Sequence, residues 1–283
     1  MNKKIVLVLV LIITAFLGNG CINQVETQND DDRIVILVSI LPQADFVGHI
    51  GGDKVNVIVM IPPGANPATY EPTASQLKSA SNADMYVKVG SGLPFEEVWL
   101  DNIGSANPDM LIVDTSEGVD LISGDPHIWL SPRCVVVQVE NIYKGLVQVD
   151  TVNRKFYNQN KEDYIHDLEV LDNDLNESLS GFKNHTFMVF HPSWGYFARD
   201  YDLTMIAVEI EGKEPSAGVL ARLVETAKEN NIKIIFVQPQ FSTKSAEVIA
   251  NEIGASVVSI DPLPQDFIKD LRTVSGIFSQ DPA

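Results

Sequence analysis

From Val152 to Leu179 the chain contains neither proline nor glycine, while apolar side chains recur three, four and seven positions apart. They stand at Phe156, Tyr157, Tyr164, Ile165, Leu168, Leu171, Leu175 and Leu179. That period puts them on one face of a single helix of about seven turns. A rod of that length near the middle of a chain constrains everything around it: the segments on its two sides must form two bodies that share it.

The pattern on each side is of one kind. Short apolar runs (Ile34 to Ile40, Val55 to Ile61, Met85 to Val89, Leu111 to Val113) alternate with helical stretches over Asp45 to Ile50 and Thr73 to Asn82. After the rod the runs are Thr186 to Phe190, Thr204 to Val208, Ile232 to Val237 and Ser256 to Ile260. They alternate with helical stretches over Gly195 to Asp200, Ala217 to Asn230 and Ser242 to Ile253. Alternation of this sort argues for βαβ units and parallel sheets. The expected fold class is α/β, with two lobes, each a mostly parallel sheet flanked by helices, joined by one long rigid helix. The expected boundaries are 34–151 for the first lobe, 152–181 for the linker helix and 182–283 for the second lobe. A rigid linker also implies little closure of one lobe on the other.

The first 21 residues read as an export signal. Lys3 and Lys4 precede an apolar stretch from Ile5 to Leu17, too short to span a membrane comfortably, and Gly18-Asn19-Gly20 leads into Cys21. The approach resembles a bacterial or archaeal lipobox, in which Cys21 is lipidated and becomes the mature N-terminus on the outer face of the cell membrane. Plain secretion without lipid is the alternative. Residues 22–33 are polar and acidic, as a tether would be. With Cys21 so used, Cys134 has no partner and no disulfide supports the fold. A net charge of −18 argues against nucleic acid as a partner.

Three side chains suggest the chemistry. His191 and Asp261 each come directly after an apolar run, and His127 lies in Asp125-Pro126-His127-Ile128-Trp129-Leu130. Groups just past the carboxyl ends of parallel strands lie where open α/β sheets bind ligands. Two imidazoles and a carboxylate gathered there suit a divalent transition metal, Zn²⁺ above all, with Mn²⁺ or Fe²⁺ as alternatives. His49, His166 and His185 lie in no such setting and read as surface residues. Trp129, Trp194 and Tyr196 read as wall packing. Asp125 is placed to accept the spare N–H of an imidazole, and Gln238 to hydrogen-bond at the cleft.

The motifs Gly51-Gly52-Asp53-Lys54-Val55, Ile61-Pro62-Pro63-Gly64-Ala65, Tyr70-Glu71-Pro72-Thr73, Asp125 to Leu130, Phe190-His191-Pro192, Gly195-Tyr196-Phe197-Ala198, Glu214-Pro215-Ser216, Pro239-Gln240-Phe241-Ser242 and Asp261-Pro262-Leu263 run from about residue 35 to 265. Together they resemble the lipoprotein solute-binding components of zinc and manganese ABC transporters, the cluster A-I family. The resemblance implies one metal clamped between two lobes, a membrane ABC permease as partner, a monomer, and transport rather than catalysis. It also implies that His127, His191 and Asp261 are the ligands. The family's first histidine does not carry over: its place in Asn66-Pro67-Ala68-Thr69-Tyr70 is taken by Ala68, and Asp114 to Gly124 lacks the histidine-rich loop of some zinc members.

Three protein ligands leave a position for water or another group. Candidates are Glu97 or its neighbour Glu96, Glu71, and Glu209 or Glu211, with Glu71 also suited to the start of a helix. Two rival functions stay open on the sequence. One is a binding protein whose altered site recognises another ion, a metal complex or a surface. The other is a zinc metalloenzyme, for which no HExxH segment is present.

Overall fold

The computed structural model describes residues 33–182, 185–210 and 212–279. The signal segment, Cys21 and the tether up to Asp32 lie outside the described residues, as does Glu211. No helix among the described residues is long and apolar enough to cross a membrane.

The first sheet contains β1 (Ile34–Val38), β2 (Val55–Val59), β3 (Met85–Lys88) and β4 (Leu111–Asp114) in the order β2-β1-β3-β4. The second contains β5 (Thr186–Val189), β6 (Thr204–Ala207), β7 (Ile234–Val237) and β8 (Ser256–Ser259) in the matching order β6-β5-β7-β8. Every pairing in both is parallel. Around the first sheet run α1 (Leu41–Gly51), α2 (Ala74–Ala80), α3 (Pro94–Ala106) and α4 (Pro132–Val149). The linker helix, α5, covers Arg154–Ser180. Around the second run α6 (Gly195–Asp200), α7 (Ala217–Glu229), α8 (Lys244–Ile253) and α9 (Phe267–Ser279).

Helix α5 forms where the periodicity places it. Its buried positions are Tyr157, Lys161, Tyr164, Leu168, Leu171, Leu175 and Leu179, one stripe at helical spacing. Each buried leucine contributes roughly 1.5–3 kcal/mol by leaving water. Phe156 is more exposed than the pattern suggests. Lys161 lies on the apolar stripe because its Nζ reaches Glu140 and Glu162, each at 2.9 Å, and lies 4.9 Å from the ring centre of Tyr143.

Alternation within β5 shows how the core divides. Phe187 and Val189 face the main core, which runs continuously from the first sheet past α5 to α9. Met188 and Phe190, on the opposite face, join a smaller cluster under α7 and α8 with Val224, Ala227 and Ile249. The C-terminal helix crosses back to the first lobe, where Phe267 packs edge-on against Phe46 at 5.4 Å and its N–H donates to Asp45. Trp129 in the first lobe donates its Nε1–H to the carbonyl of Pro262 in the second at 2.7 Å. The two lobes therefore share one apolar interior and are fixed to each other by buried contacts.

Candidate metal centre

The carboxyl edge of the second sheet carries a row of polar side chains. His191 stands two residues past β5, Glu209 two past β6, Gln238 directly past β7 and Asp261 two past β8. Parallel strands in register bring these positions together even though they are far apart in sequence. Gln238, almost wholly buried, holds the His191 backbone from both sides: its Oε1 accepts from His191 N at 3.1 Å and its Nε2 donates to His191 O at 3.0 Å. The His191 imidazole stacks on Phe241 at 4.7 Å. Its Nδ1 donates to Glu209 Oε1 at 2.7 Å.

His127 enters from the first lobe, in the loop between β4 and α4, just before the 3₁₀ turn Ile128–Leu130. Asp125 Oδ1 accepts the His127 backbone N–H at 3.0 Å and the imidazole Nδ1–H at 2.6 Å, so one carboxylate sets both the turn and the ring. The loop is held in turn by Ser91 Oγ donating to Pro126 O and by Tyr196 OH donating to Asp125 O. Burial pushes the pKa of His127 down, against the raising effect of Asp125, and favours the neutral ring.

The two rings meet edge to face, with Nε2 of His191 3.3 Å from Nε2 of His127. Carboxylates only accept, so each Nδ1 carries its proton, and on two neutral rings each Nε2 then presents a lone pair to the other. Two acceptors facing at that distance repel unless a cation lies between them. Two Zn–N bonds of 2.0–2.1 Å at a tetrahedral angle separate the nitrogens by about 3.3–3.4 Å, and liganding histidines ordinarily donate their other N–H to a carboxylate. The pair has the spacing and the orientation that zinc needs.

The other candidates lie elsewhere. Asp261 is exposed, and its Oδ1 accepts from Gln240 Nε2 at 2.8 Å and from Leu263 N at 3.0 Å. Among the described residues no three histidine, cysteine or carboxylate side chains converge in a metal-ready cluster. Glu209 stands behind His191 rather than beside its Nε2. Glu97 and Glu71 are exposed and do not line the cleft that holds the histidines. The start of α2 is capped by Thr73 with Gln76, not by Glu71. Glu96 is buried and accepts from Ser39, Val89 N and Gly90 N, tying α3 to the ends of β1 and β3. Burial pushes its pKa up, with these hydrogen bonds opposing.

The cleft over the histidines has a volume of about 460 Å³. Ala68 does line it, so the loop that would carry a further histidine reaches the site. Gly195 does not line the cleft but backs Asp125, and nothing in the sequence marks it as more than part of a motif. A Cβ there would collide with Asp125 Oδ2.

Residues 36–272 match the family model described as zinc-uptake complex component A, periplasmic. The high-affinity zinc uptake system protein ZnuA of Bacillus subtilis (strain 168) is 30% identical over 258 residues, covering 82% of this chain and 79% of that protein. The zinc-binding lipoprotein AdcA of Streptococcus pneumoniae serotype 4 is 30% identical over 284 residues, covering 92% of this chain and 55% of that longer protein. A crystal structure of ZnuA superposes with a TM-score of 0.85 at 44% identity, covering 88% of this chain and 98% of that one.

Proposed function

The chain belongs to the family of periplasmic zinc-uptake complex A components, transport proteins and not enzymes, and from that premise we propose that it captures one Zn²⁺ between its lobes and hands it to an ABC permease. The observation that carries this reading is the pair of opposed Nε2 atoms, 3.3 Å apart, each on a ring whose Nδ1 is held by a carboxylate. His127 and His191 are the nitrogen ligands. Asp261 is the third ligand, supported by its place past β8 at the same sheet edge as His191. To reach the ion it exchanges the Gln240 amide for the metal. Nitrogen donors favour Zn²⁺ over Mn²⁺ or Fe²⁺.

One ion binds per copy of the chain, and the chain acts as a monomer without a nucleic-acid partner, in keeping with its charge of −18. The working division is a first lobe of 34–151, a linker of 152–181 and a second lobe of 182–283. The shared interior argues for capture by side-chain movement with little lobe closure. The family acts outside the cytoplasm; lipid on Cys21 would hold this chain at the outer face of the cell membrane. Competitive titration of the metal-free protein against a zinc chelator tests the site. His127→Ala and His191→Ala should each weaken binding strongly, and undiminished affinity in both would overturn the assignment.

A further inference from the structure

Between β4 and His127 the first lobe sends out a loop whose tip, from Glu117 to Gly124, is largely exposed and includes Gly118 and Gly124, both at positive φ. Glycines there leave the free backbone many conformations. Yet the loop delivers one imidazole to within 3.3 Å of a nitrogen carried by the other lobe. Its first part is anchored within its own lobe, by Asn141 Nδ2 donating to the carbonyls of Thr115 and Glu117. Its last part is held from the second lobe.

Helix α6 makes that hold. The Tyr196 phenol accepts from Ile122 N at 2.9 Å and donates to Asp125 O at 3.1 Å, so one oxygen spans the turn that Asp125 N closes onto Ile122 O. A hydroxyl can accept and donate at once. Tyr196 is fully buried, and burial pushes its pKa up, so the phenol keeps the proton it donates. One turn further along, Arg199 Nη1 donates to Asp120 O at 2.9 Å, with its guanidinium 5.0 Å from the Tyr196 ring centre. Asp200 accepts from its Nε and Cys134 from its Nη2, which fixes the fork. Helix α6 starts four residues after His191, so the segment that carries one histidine also grips the loop that carries the other.

We infer that Tyr196 is a positioning residue that governs how long the captured ion stays bound. It does not line the cleft. Its phenol holds the Ile122–Asp125 turn against the second lobe and so keeps the His127 and His191 nitrogens at the spacing that two zinc bonds need. Without the hydroxyl, Ile122 N–H and Asp125 C=O lose their common partner, the turn loosens, and His127 leaves the ion more readily. This inference rests on the two-histidine zinc reading and adds the residue that controls release from it.

Tyr196→Phe removes that one oxygen and keeps the ring. Tyr201→Phe is the control, because Tyr201, just past α6, donates its OH to Asp172 of α5 at 2.8 Å and not to the His127 loop. Metal-free proteins are titrated with Zn²⁺ against a chelator, release of Zn²⁺ into excess chelator is timed by stopped flow, and absorption spectra of Co²⁺-loaded samples report the ligand geometry. Tyr196→Phe should weaken zinc binding about tenfold or more, mostly through faster release, and alter the Co²⁺ spectrum. Tyr201→Phe should match the parent in all three. A Tyr196→Phe protein with the parent's affinity, release rate and spectrum overturns the inference. So does a loss shared equally by Tyr201→Phe, since the hydroxyl would then serve stability alone. If Tyr196→Phe loses native secondary structure, Arg199→Lys, which loosens the same loop at Asp120, carries the test with the same expected and opposing results. Zinc affinity unchanged in both His127→Ala and His191→Ala would remove the site itself, and the inference with it, however Tyr196→Phe behaved.

Discussion

Gly195, at the start of α6 in the second lobe, lies so close to Oδ2 of Asp125 in the first that a Cβ at residue 195 would force that carboxylate to move. The same Asp125 orients His127 through Oδ1. The glycine is therefore part of how the two lobes agree on the position of one imidazole. Gly195→Ala would push the carboxylate away and leave the ring free to turn. Loss of a group that orients a metal ligand costs about 10–100-fold in affinity, and that is the loss expected here for Zn²⁺. Chelator competition alongside thermal unfolding of the metal-free protein checks it. A variant that binds zinc as tightly as the parent would show that Asp125 does not govern the site.

Glu209 makes the corresponding contact to His191, and its Oε2 is buried with no partner among the described residues. Replacing it by leucine removes both the acceptor that fixes the ring and a poorly satisfied buried oxygen. Zinc affinity should fall about 10–100-fold, while the thermal stability of the metal-free protein holds or rises. Affinity and stability falling together, with loss of native secondary structure, would instead make Glu209 a structural residue.

The sheets and the linker helix are legible in the sequence because strand alternation and helical period are written locally, and the long stripe from Tyr157 to Leu179 permits one element only. The apolar runs overshoot the strand ends by one or two residues. Ile40, Ile61, Val89, Phe190 and Ile260 stay buried after the ladder stops, and apolar content cannot tell a paired residue from a merely buried one. Helices α3, α4 and α9 do not stand out in the pattern. The first turns of helix α4 contain Cys134-Val135-Val136-Val137, which reads as strand by propensity. Its true signal is Ser131-Pro132, a capping hydroxyl that accepts from Cys134 N, with proline at the first helical position. The histidines are visible because they end motifs. The support given by Glu209 and Gly195 is not, because each acts across a fold that brings together residues 18 and 70 positions apart.

Away from the site, His49 stacks on Tyr164 at 4.1 Å and lies 3.5 Å from Asp45, the residue that also accepts from Tyr164 and from the start of α9. Asp45 raises the pKa of His49, with Asp266 and Asp167 adding to it against burial. A folded pKa above the unfolded value of about 6.5 means that the stabilising contribution is full below that pH and is lost as pH rises through the folded value. For so exposed a pair it amounts to no more than about 1 kcal/mol. Thermal unfolding of the metal-free parent and of His49→Gln should therefore differ more at about pH 6 than at about pH 8. A gap that widens with pH would contradict the assignment.

Ala68 gives the sharpest test of how the site differs from its relatives. The loop from Asn66 to Thr69 lines the cleft, and Asn66 Oδ1 accepts from Ala68 N at 2.8 Å, so the backbone there is already fixed at the wall facing the histidines. An imidazole added at residue 68 starts from an ordered position and loses little entropy on reaching the ion. Structural zinc sites gain about 10–16 kcal/mol from four ligands, so one more is worth about 3 kcal/mol, or about a hundredfold in affinity, less whatever it displaces. Ala68→His should tighten binding of Zn²⁺ alone by up to that factor and act mainly by slowing release. Competitive titration against a zinc chelator measures the gain. An Ala68→His protein that folds normally and binds zinc no tighter than its parent would mean that this loop lies against the metal without being able to reach it.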